Sequence, residues 1–66
     1  MDITKEIKRI MFEENVTLVE LSGRLGTTFQ NLGAKFKRNN FKISDLEKIS
    51  DALGYDLKIE FIKKES

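Results

Sequence analysis

Thr17-Leu18-Val19-Glu20-Leu21-Ser22-Gly23-Arg24-Leu25-Gly26-Thr27-Thr28-Phe29-Gln30-Asn31-Leu32-Gly33-Ala34-Lys35-Phe36 is the stretch that decides the fold. It reads as a short helix, a tight turn at Gly26 and a second short helix. Thr17 precedes Glu20 by three residues, the spacing of a capping box. Its hydroxyl accepts from the Glu20 N–H while the Glu20 carboxylate reaches back to the start of the helix. Gly26 lacks a Cβ, so it takes the positive φ that a sharp helix exit needs. Thr27 and Thr28 are both candidates to cap the second helix. Leu21, Leu25 and Leu32 supply the apolar contacts that hold the two helices at an angle. Helices joined in this way form a helix-turn-helix, a motif whose second member can lie in the major groove of DNA.

The charge pattern falls on the same place. Between Glu20 and Asp45 there is no acidic residue, but there are Arg24, Lys35, Lys37, Arg38 and Lys42. The remainder of the chain carries 11 acids against 7 bases, and the net charge of the whole is only +1. Such polarity on a small domain is the electrostatic footprint of a polyanion partner, although any helical protein can carry a solvated basic face.

The 66 residues make one small domain. A chain this short buries only about 60% of the surface its unfolded form exposes, so its stability margin is thin. There is no cysteine to brace it and no histidine, which removes the commonest zinc ligands and acid–base catalysts. The carboxylates form no recognisable catalytic motif. An enzyme is therefore not expected, nor is a cofactor, a metal or a small-molecule ligand. No apolar run is long enough to span a bilayer. Met1-Asp2-Ile3-Thr4 lacks the basic-then-apolar opening of a secretory signal, so a cytoplasmic location and no membrane partner are expected.

Outward from the central stretch, Ile3, Ile7, Ile10 and Met11 recur at helical spacing and predict a first helix over residues 3–14. Asp2 and Thr4 are alternative caps for it, and Asn15 is a left-handed stop. The helix after Gly26 is expected to run to about Lys37, followed by a polar Arg38-Asn39-Asn40 loop from which Phe41 and Ile43 pack back on the core. Ser44-Asp45-Leu46-Glu47 has the form of a second capping box and predicts a fourth helix closed by Gly54. Leu46, Ile49, Ala52 and Leu53 face inward from it.

The period then changes. Leu57, Ile59 and Phe61 alternate with Lys58, Glu60 and Ile62, which argues for a β-strand over residues 55–64. The same residues contain enough helix formers to permit a fifth helix instead. A lone strand needs a partner, and the simplest one is its twin in a second copy of the chain. An antiparallel two-fold axis at Ile59 would set Lys58 opposite Glu60 on both sides. Leu57, Ile59 and Phe61 are then the expected dimer interface. The expected fold class is thus mostly α, four helices followed by a C-terminal β-strand.

Residues 3–54, roughly four-fifths of the chain, resemble the Cro/CI-type helix-turn-helix family, the phage-repressor-like transcriptional regulators. The resemblance rests on Leu21-Ser22, Gly26-Thr27-Thr28 and Leu32, and on Leu46, Ile49 and Ala52-Leu53-Gly54. The family's usual alanine is replaced by Ser22, which is nearly as small. Gly33 also departs from the pattern, since a glycine inside a helix costs about 1 kcal/mol relative to alanine. The family's usual fifth helix gives way here to the expected strand, as in the Cro-like variants whose C-terminal strand pairs across a dimer.

What the resemblance implies is a four-helix, lambda-repressor-like domain whose third helix meets base edges through Thr28, Phe29, Gln30, Asn31 and Ala34. Gln and Asn amides can pair with adenine, while Phe29 and Ala34 suit a thymine methyl. Phe29 can equally fold onto the core. Phosphate contacts are expected from Thr17 and Thr27 beside the amide ends of their helices, and from Lys35, Lys37, Arg38 and Lys42 on the flanks. Asn39 and Asn40 either donate to phosphates or serve the turn. The expected function is a sequence-specific, repressor-like regulator of bacterial or phage origin that binds a two-fold-related DNA operator as a homodimer. The competing expectation is a protein-binding module, such as an antitoxin or anti-repressor, that adds its C-terminal strand to a partner's sheet.

Overall fold

A computed structural model describes residues 2–65 and contains four helices: α1 (Ile3–Glu13), α2 (Leu18–Leu25), α3 (Phe29–Arg38) and α4 (Ile43–Leu53). The boundaries of α1 and α2 and the start of α3 have local causes. Of the two candidates for the start of α1, Asp2 is the cap, accepting from the Lys5 N–H at 3.2 Å. Thr4 lies inside the helix and is buried. The chain leaves α1 through Asn15 at φ 57°, the expected left-handed stop. At the start of α2 both halves of the Thr17–Glu20 box are present, with Glu20 N–H donating to Thr17 Oγ1 at 3.1 Å and Thr17 N–H to Glu20 Oε1 at 3.2 Å. Gly26 ends α2 at φ 70°, and Thr27 N–H closes the turn on the Ser22 carbonyl at 3.0 Å. Thr28, not Thr27, caps α3 by accepting from Asn31 N–H at 3.2 Å.

The start of α4 differs from the expected Ser44–Glu47 box. The helix begins one residue earlier, at Ile43, with Lys42 at the N-cap position. Asp45 Oδ2 accepts from the Lys42 N–H at 3.0 Å, which puts the reaching-back carboxylate two residues ahead of Glu47. The two frames compete because both place an acid in the first turn. Asp45 wins the second tether described below. Starting the helix at Ile43 also turns that side chain outward, 58% exposed, rather than onto the core.

The core is built by Ile7 and Met11 of α1, Leu21 of α2, Leu32 and Phe36 of α3, and Ile49 and Leu53 of α4. Leu21 is fully enclosed and is the point where the elements meet, because α2 packs on both α3 and α4. Leu25, Leu46 and Ala52 lie at its half-buried margin. Phe41 packs back as expected, its ring edge-on to Phe36 with centroids 5.8 Å apart. Ser22 occupies the small position against the core with its hydroxyl donating to the Val19 carbonyl at 2.8 Å, so its burial leaves no orphan polar atom. A Cβ on Gly33 would meet only Leu18 Cδ2, at 3.8 Å, so no neighbouring backbone in the chain requires the glycine.

Residues 55–65 form neither the expected strand nor a fifth helix; among the described residues there is no β-strand. The physical reason is that a strand's hydrogen bonds are supplied from outside it, and no second strand among the described residues supplies them. Leu57, Ile59, Phe61 and Ile62 are all exposed, Phe61 completely so. The segment is tied to the body at its root, where Tyr55 Oη donates to Glu14 Oε2 at 3.0 Å and thereby raises the tyrosine pKa above its ordinary value. Among the described residues, no helix is long and apolar enough to cross a membrane.

Candidate nucleic-acid interface

Burial of Leu32 and Phe36 fixes the orientation of α3. The helical period then sends Gln30, Ala34, Lys37 and Arg38 to the opposite, exposed side as one stripe, with Asn31 beside it. Of the five expected base-reading residues, Gln30, Asn31 and Ala34 thus share the outer face of one helix. Phe29 stands at the first turn, 49% exposed. The Thr28 hydroxyl oxygen is engaged as the α3 cap, which leaves its proton free to donate.

The two helix starts are electrostatically different. The first turn of α3 contains no acidic residue, so its free amides and partial positive charge face solvent unopposed. The first turn of α2 holds the Glu20 carboxylate, within 3.1 Å of the Thr17 hydroxyl. Thr17 is therefore the weakest of the expected phosphate contacts. Thr27 lies half-buried in the turn between α2 and α3.

Among the basic residues, Lys37, Arg38 and Lys42 are exposed and make no ion pair among the described residues. Lys35 differs. It points along the flank of α3 toward α4, where its Nζ lies 2.8 Å from Asp45 Oδ1. The lysine, followed by the Lys42 N–H, holds the Asp45 carboxyl below the usual carboxylate range. Arg24 is also occupied, its guanidinium donating to the Ala52 carbonyl at 2.9 Å near the end of α4. Lys35 and Asp45 line a cleft of about 170 Å³ together with Thr27, Asn31 and Lys48. Lys48 escaped the sequence reading because it lies outside the acid-free window. Its spacing of three from Asp45 on one helix is the signal that places it there.

The far end of α3 is anchored by α1. Asn39 adopts the left-handed conformation, φ 52°, and its Oδ1 accepts from the Thr4 N–H at 2.9 Å. Thr4 Oγ1 lies 2.8 Å from the Phe36 carbonyl and 2.9 Å from Asn39 Oδ1, so its single proton is shared between two acceptors. Asn39 thus serves the turn and the helix end. Asn40 is exposed.

No protein-family model, no curated protein and no solved structure matches this chain.

Proposed function

We propose that this chain is a sequence-specific DNA-binding regulator, similar to the Cro/CI-type proteins, with α3 as the element that enters the major groove. One observation carries the reading. The stripe Gln30, Ala34, Lys37 and Arg38 stands opposite the buried Leu32 and Phe36, on the helix with an acid-free first turn. An amide, a small residue and two cations on one outer helix face match what a groove-reading helix needs, which is base-edge donors flanked by phosphate-binding charge. Gln30, Asn31 and Ala34, with Thr28 and Phe29 at the entry, are the base-facing set. Lys37, Arg38 and Lys42, with Thr27, are the phosphate-facing set. In this reading the chain is not an enzyme and works in the cytoplasm.

The regulator acts as a homodimer in this proposal, joined by antiparallel pairing of Leu57, Ile59 and Phe61 with their twins. Backbone outside any helix or strand and the full exposure of Phe61 support such an arm. Two half-sites about one helical turn, ~34 Å, apart would follow. The test is selection from a randomised duplex library at two salt concentrations, with sequencing of the retained pool. A two-fold motif with a steep salt slope is the expected outcome; retention without a motif removes sequence specificity. The same exposed arm favours a second reading, a protein-binding module. Failure to bind DNA even at low salt would select it.

A further inference from the structure

Asp45 is the first acid after Glu20, and it stands where a DNA-binding face would be expected to exclude negative charge. Both its oxygens are engaged. Oδ2 accepts from the Lys42 N–H at 3.0 Å and Oδ1 faces Lys35 Nζ at 2.8 Å. The backbone bond fixes the carboxylate at the start of α4, so it cannot swing away from an approaching phosphate. Lys35 is the mobile partner, its side chain 47% exposed against 20% for Asp45. A half-exposed ion pair is a weak interaction. A phosphate on the α3 flank therefore meets a lysine already held by a fixed, nearby competitor.

Building on the DNA-binding reading, we propose that Asp45 is a positioning residue that withholds Lys35 from phosphate, so that the interface engages one phosphate fewer than its basic residues allow. Asp45 thereby limits the sequence-independent part of the affinity, which scales with the number of phosphates neutralised. The same carboxylate serves two ends. It starts α4 and it sets how firmly α3's flank grips any DNA at all.

The experiment compares the full chain, Asp45→Asn, Lys35→Gln and the double variant on one fixed, arbitrary-sequence duplex across a salt series. The asparagine of D45N keeps a side-chain oxygen for the Lys42 N–H, and circular dichroism checks that each variant folds. D45N is expected to bind up to about fivefold more tightly at low salt, with a log–log salt slope steeper by about 0.9. K35Q is expected to leave the slope unchanged when Asp45 is present and to remove the gained slope in the D45N background. Loss of the same slope by K35Q in both backgrounds would show Lys35 already on phosphate and overturn the proposal, as would an unchanged slope in D45N. If none of the four proteins binds, the DNA reading itself fails and this inference falls with it. A titration of the Asp45 carboxyl by NMR separates the two failures, because it needs no DNA. K35Q should move its midpoint upward, and an unmoved midpoint would overturn the restraint even if DNA binding stands.

Discussion

The α2–α3 region and the C-terminal segment are both rich in apolar residues, yet one forms helices and the other forms no regular structure. In residues 17–39, caps, turns and ladders are all satisfied within a few residues, and Leu21, Leu32 and Phe36 bury themselves in the same core. In residues 55–65 the alternation is equally clear, but among the described residues only Tyr55 and the Lys58–Glu60 pair make side-chain bonds. The comparison teaches that a helix carries its own hydrogen-bond partners and a strand does not. A local pattern is sufficient for the first and only a conditional statement for the second.

The largest expected effect lies on the ordered side of this contrast. Leu21→Ala removes the one fully enclosed side chain and should destabilise the domain by about 2–5 kcal/mol in a denaturant titration. A loss under about 1 kcal/mol, well below that range, would mean that the helices do not meet at Leu21. Next is the proposed reading face. Gln30→Ala should weaken specific DNA binding by about 1–3 kcal/mol and relax one base preference without altering thermal stability. An unchanged preference in the selected pool would remove Gln30 from the site.

On the open side, Ile59→Asp should leave helical content intact and abolish dimerisation, read by analytical ultracentrifugation. A dimer that survives would take residues 55–64 out of the interface. Smaller still, Gly33→Ala should raise stability by up to about 1 kcal/mol, since its Cβ would meet only Leu18 at ordinary contact distance. The smallest effect concerns Asp45. Its pKa is lowered in the folded state, so the folded form binds fewer protons than the unfolded form through the carboxylate range. Stability should therefore fall as pH drops through that range, and D45N should shallow the slope.

Several features were legible because their causes are local. The Thr17–Glu20 box, the glycine exits at 26 and 54, and the asparagine stop at 15 each depend on residues at most five positions apart. The outward placement of Gln30 and Ala34 followed from the apolar period of α3. Other features depend on residues far apart in sequence. A fourth helix closed by Gly54 was foreseen but its start at Ile43 was not, because Ser44–Glu47 offered an equally good local signature. Lys35, ten residues away, gives Asp45 a second bond that no window around Ser44 contains. Thr4 stood as an alternative cap to Asp2 for the same reason, since its hydroxyl is directed to groups more than 30 residues on. Lys48 joined the cleft only once α4 had packed beside α3.

That Thr4–Asn39 contact also bears on the order in which the protein opens. It closes a loop spanning more than half of the chain, and an entropy of closure must be met before it forms. The last turn of α3 should then exchange its amide hydrogens mainly when α1 detaches, while the first turn, held by the Thr28 cap and by Leu32 in the core, opens independently of α1. α3 is thus tied across the chain at its Asn39 end and only locally capped at its Gln30 end, which in the proposed reading is where a base sequence would be fitted.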